Sequence, residues 1–336
     1  MLFMQLSTDL PSFLRELTGA EPTAALQRLI AAGADRLPLP GHGATLARWR
    51  ALAAVGAHDL SLAKLFEGHT DALAILHEAG VAPGDGGSAW GTWCAEPPDA
   101  RVRIEAAGDG VFVLNGRKAW CSGAQDVSQA VMSCWTPDGE AMLAAVDLRQ
   151  AGVSMSIDAW QAVGMRGSAS IDVHFENVAA RPLGGPGFYV QRAGFWHGGA
   201  GVAACWFGAA TALADALACA MQARPDAHRL AQLGEVTVAL QGSAALMRET
   251  AAAIDHGPDA NAMSAALSVR LSVDATCSMV LAAVGRAFGP GPMCKDAAMA
   301  RRFADLPVFI RQSHAERDLE TLGRLVAEGE GRPWML

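Results

Sequence analysis

The sequence predicts a mainly α-helical protein with a central β-domain, between an N-terminal helical domain and a C-terminal four-helix bundle. Changes in hydrophobic periodicity indicate this order. Apolar residues recur at helical spacing at first, alternate at strand spacing over 88–181, and then return to helical spacing. Runs rich in glycine and proline, at 82–87 and 182–187, separate the three parts. We therefore expect domains at 1–87, 88–181 and 188–330.

The clearest helix of the N-terminal domain is expected over 59–77. Its apolar face includes Phe66, Leu73 and Leu76, which recur at helical spacing. Asp59 is a suitable residue to cap the start of this helix, and Gly80 lies just past its end. Shorter periodic runs predict further helices in this domain, at 13–17, 23–32 and 46–55.

Short strands are predicted for the β-domain. Apolar and charged residues alternate over 101–106, and the glycines of 108–110 predict a hairpin turn into the next strand. A second turn is expected at Asn115 and Gly116, so that the chain before it and after it forms separate strands. This spacing is typical of a small antiparallel barrel or sandwich. The remaining strands are expected at 127–134, 141–148, 153–157 and 171–175.

The C-terminal bundle is predicted from four long helical patterns joined by short loops that contain proline or glycine. Many alanines and glycines in these patterns allow helices to approach closely, which suits assembly into a homodimer or homotetramer. The four helices are expected at 190–222, 228–255, 260–287 and 295–327.

Composition narrows the class of protein. Hydrophobic residues make up 51% and charged residues 18% of the chain, as in globular proteins, and the net charge of −8 argues against nucleic-acid binding. The uncharged stretch 193–214 is long enough to span a bilayer, but its glycine and alanine content favours a buried helix over a membrane span. The seven cysteines form no CxxC pair, so we expect neither a metal site nor a redox dithiol, but free thiols in a cytoplasmic protein without a signal peptide.

Three motifs in the β-domain point to one family. Glu96-Pro97 follows the first strand, NGRKAWCS covers 115–122, and GMRGS covers 164–168 ahead of FENV at 175–178. Together they resemble the β-domain of the acyl-CoA dehydrogenase superfamily, whose members are flavin enzymes. The resemblance implies that Trp120 packs against the flavin ring of FAD and that Ser122 donates a hydrogen bond to flavin N5, the atom that accepts the hydride.

Further cofactor contacts follow from the same resemblance. Ala95 stands where the family has a threonine near the flavin, and the glycine-serine pair that usually follows is absent. Arg224, in the first interhelical loop, is similar to the arginine that meets the FAD pyrophosphate. Phe288 and Gly289 resemble the start of the glycine-rich loop on the adenine side.

Four residues are expected at a substrate pocket. Arg166 and Ser168, in the GMRGS motif, are expected near the cofactor or the entrance of the active site. His69 lies on the helix with which the family lines its pocket, and His197 lies early in the first bundle helix, where one branch of the family carries its catalytic glutamate.

The catalytic base of the family is not present in its usual form. Dehydrogenation of an acyl thioester needs a carboxylate that removes the α-proton, but 311–318 reads RQSHAERD, without the expected Glu-Gly pair. Depending on the register, Ser313 or His314 takes the place of the glutamate, and Glu316 follows two or three residues later. His314 and Glu316 are the candidate catalytic residues, with His197 as a further candidate. Histidine titrates near neutral pH and can serve as a base.

Three functions stay open at this point. The first is an FAD-dependent oxidoreductase that dehydrogenates an acyl thioester with a non-standard base. The second is a flavin-dependent monooxygenase on the same fold, because superfamily members with a histidine at this place include such enzymes. The third is a degenerate homologue that binds no flavin and serves as a binding protein.

Overall fold

The computed structural model describes residues 10–84, 87–258, 260–329 and 334–335. Its helices are α1 (10–16), α2 (Pro22–Ala31), α3 (Thr45–His58), α4 (Leu60–Glu78), α5 (Phe188–Gln191), α6 (Gly194–Ala223), α7 (Ala227–His256), α8 (Met263–Phe288), α9 (Pro290–Lys295), α10 (Ala297–Phe309) and α11 (Glu316–Glu328). Its strands are β1 (Trp90–Trp93), β2 (Val102–Gly108), β3 (Val111–Cys121), β4 (Gln129–Trp135), β5 (Ala141–Asp147), β6 (Val153–Ser156) and β7 (Ile171–Leu183). The predicted order of helices, strands and helices is confirmed.

The chain forms two compact units. One unit, here called the β-unit, contains Met1–Leu37 and Ser61–Phe195, and the other, the helical unit, contains Pro38–Leu60 and Trp196–Leu336. The helical unit therefore takes α3 from the N-terminal segment, whereas α1, α2 and nearly all of α4 belong with the strands. This division into two units does not test the three domains expected from the sequence, which stay a prediction.

The strands of the β-unit form a barrel-like sheet. Neighbouring strands follow the order β1-β4-β2-β3-β7-β5, and β4 also pairs with β5, which closes a ring of strands. The pairings of β1 and β2 with β4 are parallel, and the remaining pairings are antiparallel, including that of β6 with β7. The predicted small antiparallel barrel is thus found, with two parallel pairings that the periodicity did not indicate.

The expected turn at Asn115 and Gly116 is wrong, because β3 runs through both residues as one strand. The irregularity lies in the partner strand, where Glu176 and Asn177 face the single residue Asn115. The backbone N–H of Asn177 donates to the side-chain oxygen of Asn115 at 2.8 Å. Gly116 is required here because a Cβ atom would lie 2.3 Å from the carbonyl oxygen of Arg101. An Asn-Gly pair is a common turn signal, but here it accommodates a bulge.

Helix α4 packs on the barrel and forms the core of the β-unit. Ile75 and Leu76 from the helix contact Trp90, Val131 and Leu143 from the strands, and all five side chains are buried. Burial of a large aliphatic or aromatic side chain contributes about 2 kcal/mol, so this cluster fixes α4 against the sheet. It thereby also positions β1, which the Glu96-Pro97 motif follows.

The helical unit is held by close helix approaches. A Cβ atom on Gly56 of α3 would lie 2.2 Å from the carbonyl oxygen of Cys205 in α6, and one on Gly208 would lie 1.9 Å from that of Ala53. At the N-terminus of α3, the backbone N–H of Thr45 donates to the carboxylate of Asp255 in α7 at 3.1 Å. Small residues therefore bring the backbones of α3 and α6 into contact, as their abundance predicted.

The helix expected over 295–327 is wrong as a single element. The chain forms α9 and α10, leaves the helical path after Phe309 through a 3₁₀ turn at Ile310–Gln312, and resumes as α11 at Glu316. Pro307 lies inside α10 and lacks the N–H of a regular helix. The interruption places His314 in a short connecting segment instead of on a helix face.

Two helices, α6 and α8, are long and apolar enough to cross a membrane by length and composition. About half of each apolar stretch is buried inside the structure, 56% for α6 and 50% for α8. Core helices of globular proteins pass the same test, so this feature is weak evidence for a membrane span. It agrees with the interpretation of 193–214 as a buried helix.

Candidate functional site

A bulge near the end of β3 turns Trp120 outward. Ala119 and Trp120 together face the single residue Asp172 of β7, and the backbone of Trp120 takes the left-handed conformation with φ 58°. The indole is 56% exposed, although Cys121 beside it is fully buried. A large aromatic residue held in a strained conformation and presented to solvent suggests a binding role, because strain of this kind persists where function uses it.

Three serine hydroxyls lie together just beyond this bulge. The Oγ atom of Ser122 lies 2.8 Å from that of Ser170, which in turn lies 2.9 Å from that of Ser168. The Ser168 hydroxyl donates to the carbonyl oxygen of Met165 at 2.7 Å. All three serines are buried. The structure therefore brings the predicted cofactor residue Ser122 into one network with the predicted pocket residue Ser168.

Backbone contacts fix this hydroxyl cluster. The N–H of Gly123 donates to the carbonyl oxygen of Ser168 at 2.8 Å, and the indole N–H of Trp93 donates to that of Ser122 at 3.1 Å. Gly123 has φ 68°, and a Cβ atom there would lie 2.8 Å from the side chain of Leu65. The GMRGS motif thus serves as a tight turn that anchors the end of β3.

The retained Glu96 and Lys118 form an ion pair in which Lys118 is buried and Glu96 is partly exposed. The Lys118 ammonium is fully buried and lies 2.5 Å from Glu96, 2.7 Å from the Ser133 hydroxyl and 3.0 Å from the Ser133 carbonyl oxygen. The indole N–H of Trp135 donates to the second carboxylate oxygen at 2.8 Å. These contacts give the two motif residues a structural role, and Ala95, which is half-buried, precedes this pair.

Arg166 borders a cleft of about 330 Å³ in the β-unit. The cleft is also lined by Trp160, Gln125 and Ile171. Ala169, which lies between Ser168 and Ser170 in the sequence, lines it as well. Arg166 is exposed and Ser168 is buried, so the two predicted pocket residues lie on different sides of the 3₁₀ turn Arg166–Ser168.

His69 has a structural role, which replaces the predicted pocket role. Its imidazole is 1% exposed, with Nε2 lying 3.1 Å from a carboxylate oxygen of Asp35 and Nδ1 accepting the backbone N–H of Trp90 at 3.1 Å. Because Nδ1 accepts, the ring proton lies on Nε2 and is donated to Asp35. Both ring nitrogens thus link α4 to β1 and to the segment after α2.

In the helical unit, His314 is held by a buried carboxylate. Its Nδ1 atom lies 3.4 Å from Oδ1 of Asp318, and its backbone N–H donates to Oδ2 of Asp318 at 3.1 Å. The imidazole itself is exposed, whereas Asp318 is 8% exposed. A carboxylate that faces one ring nitrogen orients the imidazole and leaves Nε2 for other partners.

The segment that carries His314 is fixed from α8. One nitrogen of the Arg270 guanidinium donates to the carbonyl oxygen of Gln312 at 2.7 Å, and another donates to that of Gly199 at 2.8 Å. Arg311 forms an ion pair with Asp274 at 3.1 Å. Ala315 has φ 44° and ψ −111°, a combination that costs a non-glycine residue energy. The position of the segment that carries His314 is therefore imposed by contacts with α8.

The two other predicted catalytic candidates lie in different surroundings. Glu316 is exposed at the first turn of α11, where a negative charge is favourable for the helix. His197 is 3% exposed, and a Cβ atom on Gly41 would lie 2.4 Å from its Nδ1. Close packing of the backbone at Gly41 thus limits access to His197 from that side.

The predicted contacts for a dinucleotide lie at helix ends of the helical unit. Arg224 is exposed just after α6, and the next helix begins at the N-cap Asp226, whose carboxylate accepts the N–H of Arg229 at 3.0 Å. Phe288 is half-buried at the end of α8, and Gly289 has φ 64° and ψ −163°, which glycine adopts readily.

Sequence reasoning missed the partners of the predicted residues. Ser170 lies two positions after Ser168, directly before β7, so the Ser-Ala-Ser sequence was an available signal for neighbouring hydroxyls. Asp318 lies four residues after His314, a spacing that brings side chains together on a helix. Arg270 lies far from its partners in sequence, and a single sequence gives no signal for that contact.

Comparison with known proteins finds one family model that matches part of the chain, and several similar proteins. Residues 98–178 match the model of the acyl-CoA dehydrogenase middle domain. A dibenzothiophene monooxygenase of Rhodococcus erythropolis is 32% identical over 182 residues, which cover 46% of this chain and 43% of that protein. The chain thus matches less than half the length of this relative.

Solved structures resemble nearly the whole chain. The complex of TdsC from Paenibacillus sp. A11-2 with FMN and indole has a TM-score of 0.82 at 18% identity, with 96% of each chain covered. The methanesulfinate monooxygenase MsuC from Pseudomonas fluorescens has a TM-score of 0.79 at 20% identity, covering 99% of this chain and 96% of that chain. These likenesses establish the fold, and the predicted acyl-CoA dehydrogenase-like class is confirmed.

Proposed function

We propose that this chain, a member of the acyl-CoA dehydrogenase superfamily by its middle domain and its fold, is a flavin-dependent monooxygenase. The observation that carries the proposal is the likeness to dibenzothiophene monooxygenase in sequence and to FMN-bound TdsC in structure. The reaction adds one oxygen atom of dioxygen to the substrate and releases the other as water, with two electrons supplied by reduced flavin. This proposal takes the place of acyl-thioester dehydrogenation, the first function expected from the sequence.

The residues of β3 suit a flavin. Trp120 offers an exposed aromatic face to the ring system, and the buried Ser122 lies two residues further on, just past the end of β3. Aromatic stacking contributes about 1 kcal/mol beyond the apolar area that it buries. We infer that Trp120 and Ser122 hold the flavin ring, which when bound supplies the electrons that activate dioxygen.

FMN fits the helical unit better than FAD does. The family uses the loop after the first bundle helix for the FAD pyrophosphate, and here that loop carries Asp226 at the N-cap of α7. The Asp226 carboxylate occupies a helix N-terminus that would otherwise favour an anion. Its hydrogen bond with the backbone N–H of Arg229 holds the pKa of Asp226 below its ordinary value, so the group is charged at neutral pH. A pyrophosphate at this loop would therefore meet a negative charge.

A histidine in place of the family's glutamate also favours a monooxygenase over a dehydrogenase. His314, oriented by Asp318, stands where acyl-CoA dehydrogenases carry the glutamate that removes an α-proton, and we assign it to proton transfer during oxygenation. A monooxygenase needs no α-proton base. The nearby Glu316 is exposed at the start of α11, where it favours the helix electrostatically.

The substrate is proposed to be a small organic molecule with an oxidisable heteroatom. This class follows from the relatives, whose names specify dibenzothiophene and methanesulfinate, and from TdsC bound to indole. A homodimeric or homotetrameric assembly and a cytoplasmic location, both expected from the sequence, complete the proposal.

The proposal is tested by supplying the purified chain with FMN or FAD, a flavin reductase, NADH and dibenzothiophene or indole under isotopically labelled dioxygen. We expect uptake of FMN in preference to FAD, and transfer of one labelled oxygen atom to the substrate in mass spectrometry. His314→Gln, compared with the control His256→Gln on α7, is expected to lose oxygenation but keep FMN binding.

Two outcomes would contradict the proposal. Flavin-dependent formation of a double bond in an acyl-CoA, without oxygen transfer to any heteroatom substrate, would restore the dehydrogenase function. Failure to bind either flavin, measured by fluorescence quenching, would favour a binding protein on an inherited fold.

A further inference from the structure

Ser122, Ser170 and Ser168 form a row of hydroxyl groups, the serine cluster. The contact of Ser168 with a carbonyl oxygen determines the direction of each hydrogen bond in this cluster. A carbonyl oxygen can only accept, so the Ser168 hydroxyl must donate its single proton to Met165. The bond between Ser168 and Ser170 then requires Ser170 to donate. The bond between Ser170 and Ser122 requires in turn that Ser122 donates.

Ser122 is thereby left as an acceptor toward any further partner. Its one proton points to Ser170, so the free lone pair of its oxygen is what the cluster offers to a ligand. The resemblance had implied the opposite role, a Ser122 hydroxyl that donates to flavin N5, and the network corrects that expectation. Oxidised flavin presents an acceptor at N5, whereas reduced flavin presents an N–H donor there.

We propose that Ser168 and Ser170 are positioning residues that fix Ser122 as a hydrogen-bond acceptor, so that the site binds reduced flavin more tightly than oxidised flavin. The inference rests on the proposed flavin site but goes beyond it, because it assigns the redox preference to two serines that need not touch the cofactor. Removing either serine frees the Ser122 proton to turn toward N5, which favours the oxidised form.

The measurement is the ratio of the dissociation constants for oxidised and reduced FMN, from anaerobic fluorescence titrations of the full chain. The wild type is expected to favour reduced FMN. Ser168→Ala and Ser170→Ala are each expected to lower that preference about two- to tenfold, the effect of exchanging one neutral hydrogen bond. Ser154→Ala, at an exposed position on β6 of the same unit, serves as the matched control and leaves the ratio unchanged.

A double variant separates positioning from general structural damage. If Ser168 acts through Ser122, then Ser168→Ala has no effect on the ratio in a Ser122→Ala background. An equal effect in both backgrounds would overturn the inference, as would an unchanged ratio in both single variants that still bind FMN. These results leave the proposed function intact, whereas a wild type that binds neither form of FMN overturns the function and this inference together.

Discussion

Asp318 contacts His314 twice, with one carboxylate oxygen 3.4 Å from Nδ1 and the other accepting the backbone N–H of the same residue at 3.1 Å. One buried carboxylate therefore fixes both the ring and the backbone of an exposed histidine. This arrangement orients the imidazole that we propose for proton transfer while leaving it exposed to solvent.

Replacing His314 and its carboxylate should separate chemistry from orientation. His314→Gln is expected to slow substrate oxygenation about 100-fold or more, the usual contribution of a positioned acid–base group. Asp318→Asn keeps the imidazole but weakens its orientation, so a smaller loss of about tenfold is expected. Single-turnover oxygenation with bound FMN measures both, and equal rates for wild type and His314→Gln would remove His314 from the mechanism.

Trp120 should matter for flavin binding and not for folding. Its left-handed backbone conformation is unfavourable for tryptophan but not for glycine, so Trp120→Gly should leave the protein as stable or stabilise it by about 1 kcal/mol. FMN affinity is expected to fall about tenfold because the stacking face is lost. Chemical denaturation and FMN titration give the two values, with the exposed Trp334→Ala as the control. A destabilised variant with unchanged FMN affinity would instead make Trp120 structural.

The Glu96–Lys118 pair should be one of the main supports of the barrel. Glu96→Gln leaves the Lys118 charge buried and is expected to cost about 3 kcal/mol of unfolding free energy. Combining it with Lys118→Met removes the charge and should recover much of the loss. The exposed Glu320→Gln, which breaks the surface pair with Arg324, is expected to change the midpoint of unfolding little. A Glu96→Gln protein as stable as the wild type would contradict this view of the pair.

The cysteines should differ sharply in reactivity at pH 8. Burial raises the pKa of the Cys94 thiol to about 11 and that of Cys134 to about 12, so both stay protonated far above neutral pH. A raised pKa means that the reactive thiolate forms only as the pH rises toward these values. Cys219 and Cys294 are exposed and should be alkylated first by iodoacetamide, as peptide mass spectrometry would show. Rapid labelling of the buried Cys134 in the native protein would contradict this prediction.

Much of the fold could be predicted from the sequence because its signals are local. The helical face of α4 and the strand alternation of β2 each depend on spacing within a few residues. The interruption before α11 could not be predicted this way. It depends on Arg270, which binds the carbonyl oxygen of Gln312 from another helix.

The residues of the candidate site can be divided in the same way, into those that local motifs indicate and those whose contacts lie far away in the sequence. Trp120, Ser122 and His314 are candidates because motifs of a known family mark their places. The contacts of Ser122 with Ser170, and of Ser170 with Ser168, could not be predicted in this way, because both partners lie more than forty residues away from Ser122. For His69, the motif position was misleading. His69 lies at a pocket position of the family, but both of its ring nitrogens are engaged in structural contacts.

The anchoring of the His314 segment from α8 sets a rule for engineering. If the short segment around His314 were grafted onto another helical scaffold, the imidazole would lose its fixed orientation. Arg270 and Asp274 of α8, which hold the segment, would not be transferred with it. Conversely, libraries that vary the neighbouring residues for new substrates can keep the direction of the ring if Asp318, Arg311 and those two residues of α8 are left unchanged. To transfer His314 with its orientation, a design must therefore include both α8 and the His314 segment, which are distant in the sequence.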